Sequence, residues 1–184
     1  MKCIEAFGDL LGIDGKILRL GFTPPLCPPH VPGINLNQNS VVEEIRKALE
    51  YRVLSANHSD IIAQLRHLND VSFNPEQLVG RANSLKVAVV FFDPTIEVSA
   101  KVIEEVNHLK RRNITVVVVS VGDDTGRNLE NLVSCSECLI HVNDYSALNG
   151  GVSDKLTDIV TKYRCLRKYL GITFREFCPV YSFV

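Results

Sequence analysis

The chain has no apolar run approaching the ~20 residues that a membrane span needs. It also has no large excess of charge of either sign: 20 Lys and Arg stand against 21 Asp and Glu, a formal net charge of −1. The first absence argues against a transmembrane helix, the second against nucleic acid as a default partner. No basic segment followed by an apolar one opens the sequence at Met1-Lys2-Cys3-Ile4-Glu5, so no signal peptide is read there. Six cysteines in 184 residues are too few for a disulfide scaffold, though too many to pass over. A G-x-G-x-x-G is missing too. The nearest loop, Gly122-Asp123-Asp124-Thr125-Gly126, lacks that spacing and argues only weakly for a nucleotide. What is present, 46% hydrophobic and 22% charged residues, is ordinary globular composition at the length of one domain, two at most.

The clearest local signal is Val87-Ala88-Val89-Val90-Phe91-Phe92, a continuous β-favouring run closed by Asp93-Pro94. A second run, Ile114 to Val121, ends at Gly122. Between them Ser99 to Arg112 has helical spacing, with Val98, Val102, Val106 and Leu109 on one face. Strands apolar on both faces and joined through a helix predict adjacent parallel strands in a helix-covered sheet. Asn128 to Val133 reads as a short helix, Cys138 to Val142 as a short strand with His141 packed in the core, and the stretch carrying Val152, Leu156, Ile159, Val160, Tyr163 and Leu166 as a long closing helix.

Upstream, residues 2–11 and 41–49 suggest helices and residues 16–22 a strand. Asn57-His58-Ser59-Asp60 is a loop and cap before a helix from Ile61 to Leu68, and residues 75–83 suggest one more helix. Five prolines between Pro24 and Pro32 cannot supply ladder donors. They mark a stiff surface connection, or less economically a ligand for a proline-recognition domain.

From Lys86 to Leu170 this order resembles the second half of a von Willebrand factor type A domain, and most those of collagen VI α chains. The matching stretches are KVAVVFFD, the helix ending in LKRRNI, TVVVVSVG, LENLVS, LIHVNDYSAL and the closing helix. LNQNSVVEEIRKALEYR and NHSDIIAQLRHLN are similar to that family's second and third helices. The resemblance implies an α/β fold, a Rossmann-like, doubly wound, mostly parallel sheet, over residues 1–171, with residues 172–184 a linker toward a following domain. It also implies a gap. The family's first strand, central in its sheet and ending in an Asp-x-Ser-x-Ser loop, has no counterpart ahead of the segment that matches the first helix. The flanking strands are therefore expected to close on each other or to leave an exposed edge open to pairing, an aggregation hazard. A truncation, a splice form or a partial gene model would each account for it.

The family's adhesion site holds Mg²⁺ through serine and threonine hydroxyls, an aspartate and waters, an all-oxygen set suited to a hard cation. Here Ser59 is the nearest match to the threonine, and Asp93 matches the aspartate within Phe92-Asp93-Pro94. Two scattered oxygens predict no metal site and no cofactor, with Asp93 capping the strand end instead. Cys135 and Cys138 form C-x-x-C ahead of a strand rather than at a helix start, so a disulfide or two inert thiols is favoured over redox chemistry. No second pair supplies zinc ligands. Cys165 and Cys178 flank the domain end and are further disulfide candidates. Asn57-His58-Ser59 and Asn113-Ile114-Thr115 are glycosylation sequons. Lys110-Arg111-Arg112 closes a helix, where cations complement its dipole.

The resulting expectation is a non-enzymatic, extracellular-matrix interaction or adhesion module from a longer, collagen VI-like chain. Matrix proteins or other collagen chains are its partners, and metal is not required. The alternatives are an intracellular A-domain scaffold and a Rossmann-like nucleotide-binding enzyme working near Asp93 and Gly122.

Overall fold

The computed structural model describes residues 19–22, 60–76, 84–123, 128–148, 150–169 and 180–183. Five parallel strands form one sheet: β1 (Arg19–Phe22), β2 (Lys86–Phe92), β3 (Ile114–Val121), β4 (Leu139–Val142) and β5 (Val180–Phe183). Their order is β1-β5-β2-β3-β4. Helix α1 (Ile61–His67) runs on into a π-helical turn, Leu68–Ser72. Helix α2 (Ala100–Arg111) joins β2 to β3, and α3 (Gly150–Tyr169) follows β4.

The two continuous apolar runs are explained by burial on both faces. Successive side chains of a strand point to opposite sides. Val87 and Val89 of β2, with Val117 and Val119 of β3, face Val152, Leu156, Ile159 and Val160 of α3. Ala88, Val90 and Phe92, with Ile114, Val116 and Val118, face α1 and α2 through Leu65, Val102, Val106 and Leu109. The expected parallel neighbours are found, Lys86 opposite Ile114 through Phe92 opposite Ser120.

The helix ends follow their sequence signals. Asp60 caps α1, its carboxylate accepting from the Ile62 and Ala63 amides at 3.0 and 3.2 Å. The Ser99 hydroxyl accepts from the Val102 amide at the start of α2. Arg112 does more than complement a dipole. Its guanidinium donates to the carbonyls of Asn69 and, at 2.8 Å, Phe73, tying the end of α2 to the π-helical turn. Hydrogen bonds from a charged donor are worth about 1.5–3 kcal/mol, so Arg112→Ala is expected to lower unfolding stability by about that much. Arg112→Lys should recover only part of it, because one ammonium cannot reproduce the planar fork. Urea denaturation of the three chains checks this.

The structure departs from five expectations. His141 is exposed, not packed in the core. β4 is an edge strand, and its alternation turns Ile140 inward and His141 out. The Asn128–Val133 helix is a single 3-10 turn, Leu129–Asn131, and Cys138 ends another such turn, Ser136–Cys138, rather than opening the strand. Within the stretch expected to be a linker, Val180–Phe183 is a strand of the sheet. The expected gap is neither closed nor left open, because β5 stands between β1 and β2, parallel to both. The segments 2–11, 23–33, 41–49 and 77–83, with Asn57, Ser59 and Cys178, lie outside the described residues.

Candidate functional site

In open parallel sheets, ligands meet the loops that leave the carboxyl ends of the strands. Here those loops bring Asp93, after β2, beside Tyr145, after β4. The Tyr145 hydroxyl donates to Asp93 Oδ2 at 2.7 Å. The other carboxylate oxygen accepts from the Thr95 amide at 2.8 Å and from the Thr95 hydroxyl. Asp93 thus caps the strand end, as expected. Asp144 repeats the device one loop away, its Oδ1 accepting from the Ser146 amide at 2.7 Å, the Ser146 hydroxyl and the Ala147 amide. These hydrogen bonds hold the Asp144 carboxyl below its ordinary pKa.

Gly122 completes the platform. It sits at φ +85° and donates its amide to the Val142 carbonyl at 2.8 Å. A Cβ there would lie 3.0 Å from Pro94 Cγ, so a side chain would strain the backbone and push on the turn that carries Asp93.

Partial burial, the Asp93 hydrogen bond and the Asp93 charge together push the Tyr145 hydroxyl up to about 12. Because the folded value lies above the ordinary value near 10, the contribution of this proton to stability is complete below about pH 10 and is lost as pH rises through about 12. Phenolate absorbance should show one late-titrating tyrosine, absent in Tyr145→Phe. Asp93→Asn should lower that value without restoring it fully, since burial remains. An unchanged titration in Asp93→Asn would disprove the coupling.

The other candidate residues are not brought to this place. Asn113 is exposed at φ 58°, at the start of β3, beside a cleft of about 470 Å³ lined by Leu85, Lys110, Thr115, Val133 and Ser134. Cys135 and Cys138 form a disulfide across the 3-10 turn, with Cα atoms 5.0 Å apart and Cys138 fully buried. The Glu137 carboxylate between them pairs with Lys162 of α3, which draws it down to about 2. Cys165 falls within α3, but its side chain is outside the described residues.

Sequence reasoning missed Tyr145. It lies within LIHVNDYSAL, quoted only for its likeness, and a lone exposed tyrosine three residues past a sheet strand carries no spacing signal. It is 62% exposed, the only large hydrophobic side chain so exposed among the described residues.

The fit of a metal can be judged at Asp93. Both its oxygens already accept protein hydrogen bonds, and no group of three or more His, Cys, Asp or Glu side chains that could hold a metal occurs among the described residues. The described residues thus place one carboxylate here, already engaged by Tyr145 and Thr95, with no acidic cluster beside it.

Comparisons with known proteins agree with this fold. No curated protein matches the chain. Among solved structures it is similar to proximal thread matrix protein 1 from the mussel byssus, with 19% identity and a TM-score of 0.63 over 84% of this chain. A second crystal form of that protein gives 0.64 over 83%, and a third structure, with zinc in its MIDAS motif, gives 0.62 over 83%, each again at 19% identity. The chain spans only about two fifths of those proteins, 41%, 39% and 40% of their lengths. The family model for the von Willebrand factor type A domain matches residues 30–155, well over half of the sequence, and the chain belongs to that family.

Proposed function

We propose that the chain is a protein-interaction module of an extracellular matrix protein, a collagen VI-like one, and that its binding does not depend on a metal ion. Domains of this family typically act as binding modules rather than enzymes. The observation that carries the metal-independent reading is the state of Asp93. The carboxylate at the matching position is occupied on one oxygen by Tyr145 and on the other by Thr95. A cation at Asp93 would compete with these hydrogen bonds for the carboxylate lone pairs, and no acidic cluster stands beside it among the described residues.

The likeness to a matrix protein of the mussel byssus supports the matrix assignment at the level of fold. What the strand ends present is a surface: exposed Tyr145, with Asp144 and Ser146 around it. Tyrosine supplies apolar area and a polar tip at once, which suits a protein partner. The sequon at Asn113 is exposed and is the proposed glycan acceptor in the described part of the chain, with Asn57 the candidate outside it. Cys165 and Cys178 remain proposed bridge formers.

The test is a binding assay on the immobilised chain, with isolated collagen VI chains and other matrix proteins as analytes, run in excess chelator and in Mg²⁺. Equal binding in both, weakened by Tyr145→Ala, is the expected result. Binding abolished by chelator would refute metal independence, and no binding to any matrix protein would refute the assignment. A glycosidase-sensitive mass shift on secreted material, lost in part in Asn113→Gln, is the companion expectation.

A further inference from the structure

The cleft of about 470 Å³ lies where β2 and β3 begin, at the end of the sheet away from Asp93 and Tyr145. Leu85 and Ile114 on its walls are buried and Val133 is half-buried, so the walls are largely apolar. Two features say what such a cleft can take.

The first is Lys110. It is half-buried in the last turn of α2, and its ammonium donates to the Asn131 carbonyl at 2.8 Å. A lysine ammonium carries three donors, so two remain. Burial draws its pKa below the ordinary value. A nearby carboxylate would push it up, and none acts on it. The dipole of α2 favours a cation at this helix end, which Arg111 and Arg112 also provide, but it does not call for one that lines a cleft. A partly desolvated cation without a counter-charge is costly, and an anion entering the cleft relieves that cost.

The second is an open edge of β3. β4 pairs with β3 only from Val118 onward. Ser134 stands in for a strand beside Val116, its hydroxyl accepting from the Val116 amide at 2.8 Å and its own amide donating to the Val116 carbonyl at 3.0 Å. Backbone groups on one edge recur every second residue, so the amide and carbonyl of Ile114 face the same way. Among the described residues no strand meets that edge at Ile114.

These features select a ligand. One ammonium between apolar walls suits a singly charged carboxylate on an aliphatic group. A phosphate or sulfate ester calls for more cations, and Arg112 is committed to the Asn69 and Phe73 carbonyls while Arg111 does not line the cleft. The open edge suits an extended backbone. We infer that the cleft binds the free C-terminus of an extended peptide ending in an aliphatic residue. Its carboxylate lies on Lys110 Nζ, its last side chain against Leu85, Ile114 and Val133, and its backbone along the edge of β3 at Ile114. The inference is independent of the surface at Tyr145, and chelator results do not bear on it.

The test is a fluorescence-anisotropy titration of the full chain, made without a glycan because Asn113 borders the cleft. The probe is an N-terminally labelled peptide of six residues ending in Val-Leu. Saturable binding is expected, about tenfold or more tighter than that of the same peptide closed as a C-terminal amide. Lys110→Met keeps the apolar stem and loses the charge. It should weaken binding of the acid about tenfold and leave the amide unchanged. Inorganic phosphate and 4-methylpentanoate, each at the concentration of the peptide, should not displace it. No saturable binding, equal binding of acid and amide, displacement by either small anion, or unaltered affinity in Lys110→Met overturns the inference. If far-ultraviolet circular dichroism shows that Lys110→Met does not fold, backbone nuclear magnetic resonance on the unaltered chain decides. The acid must then shift the amide signals of Ile114, Thr115 and Ser134, and a closed amide that shifts them equally overturns the inference.

Discussion

Tyr181→Pro is expected to destabilise the fold by roughly 2–4 kcal/mol, far more than a substitution in a linker would. Proline at 181 removes a ladder donor from a strand that is paired on both edges. The lost bond is worth about 0.5–1.5 kcal/mol net, and an acceptor left without its partner inside the sheet costs about 1–3 kcal/mol more. The loss does not stop at one bond, because β5 is what joins β1 to the other strands. A domain margin of about 5–15 kcal/mol makes such a change easy to detect in a urea transition. A melting curve indistinguishable from that of the unaltered chain would mean that Val180–Phe183 contributes no pairing in solution. Tyr181→Val, which keeps the amide and suits a strand, should stay close to the parent.

Phe92→Ala should cost about 3–5 kcal/mol. Phe92 is fully buried at the end of β2, in the core layer that Leu65, Leu68, Val102, Val106 and Leu109 share. Truncation removes transfer free energy and leaves a cavity between a sheet and two helices that collapse only in part. The same change has a local readout. Phe92 immediately precedes Asp93, so loosening its anchor should bring the Tyr145 hydroxyl down from about 12 toward the ordinary range. Stability from denaturant melts and the phenolate titration should therefore move together. Full stability with a lowered titration, or the reverse, would separate the site from the core beneath it.

The physics of the strand explains what could be read from the sequence. β2 and β3 announce themselves because both faces are buried, and so every position must be apolar. α2 does so because its apolar residues recur at helical spacing behind a serine cap. His141 misled because an apolar neighbourhood was taken for a doubly covered strand. At the sheet edge the alternation survives, and one face meets solvent. β5 was invisible for a different reason. Four residues carry too little pattern to separate strand from linker, and its place between β1 and β2 depends on partners far away in the sequence. Asp93 was legible as a cap from its place at the strand end, but its bond to Tyr145 was not. Tyr145 lies 52 positions further on, and only the parallel order of β2, β3 and β4 brings the two loops together.

Calorimetric titration of the full chain with Mg²⁺ and Mn²⁺ tests most directly the claim that the strand-end surface works without a cation. The arrangement of Asp93 between Tyr145 and Thr95 predicts no saturable heat in the millimolar range or tighter, and no change in the Tyr145 titration when either ion is added. A one-to-one isotherm that disappears in Asp93→Ala would contradict it.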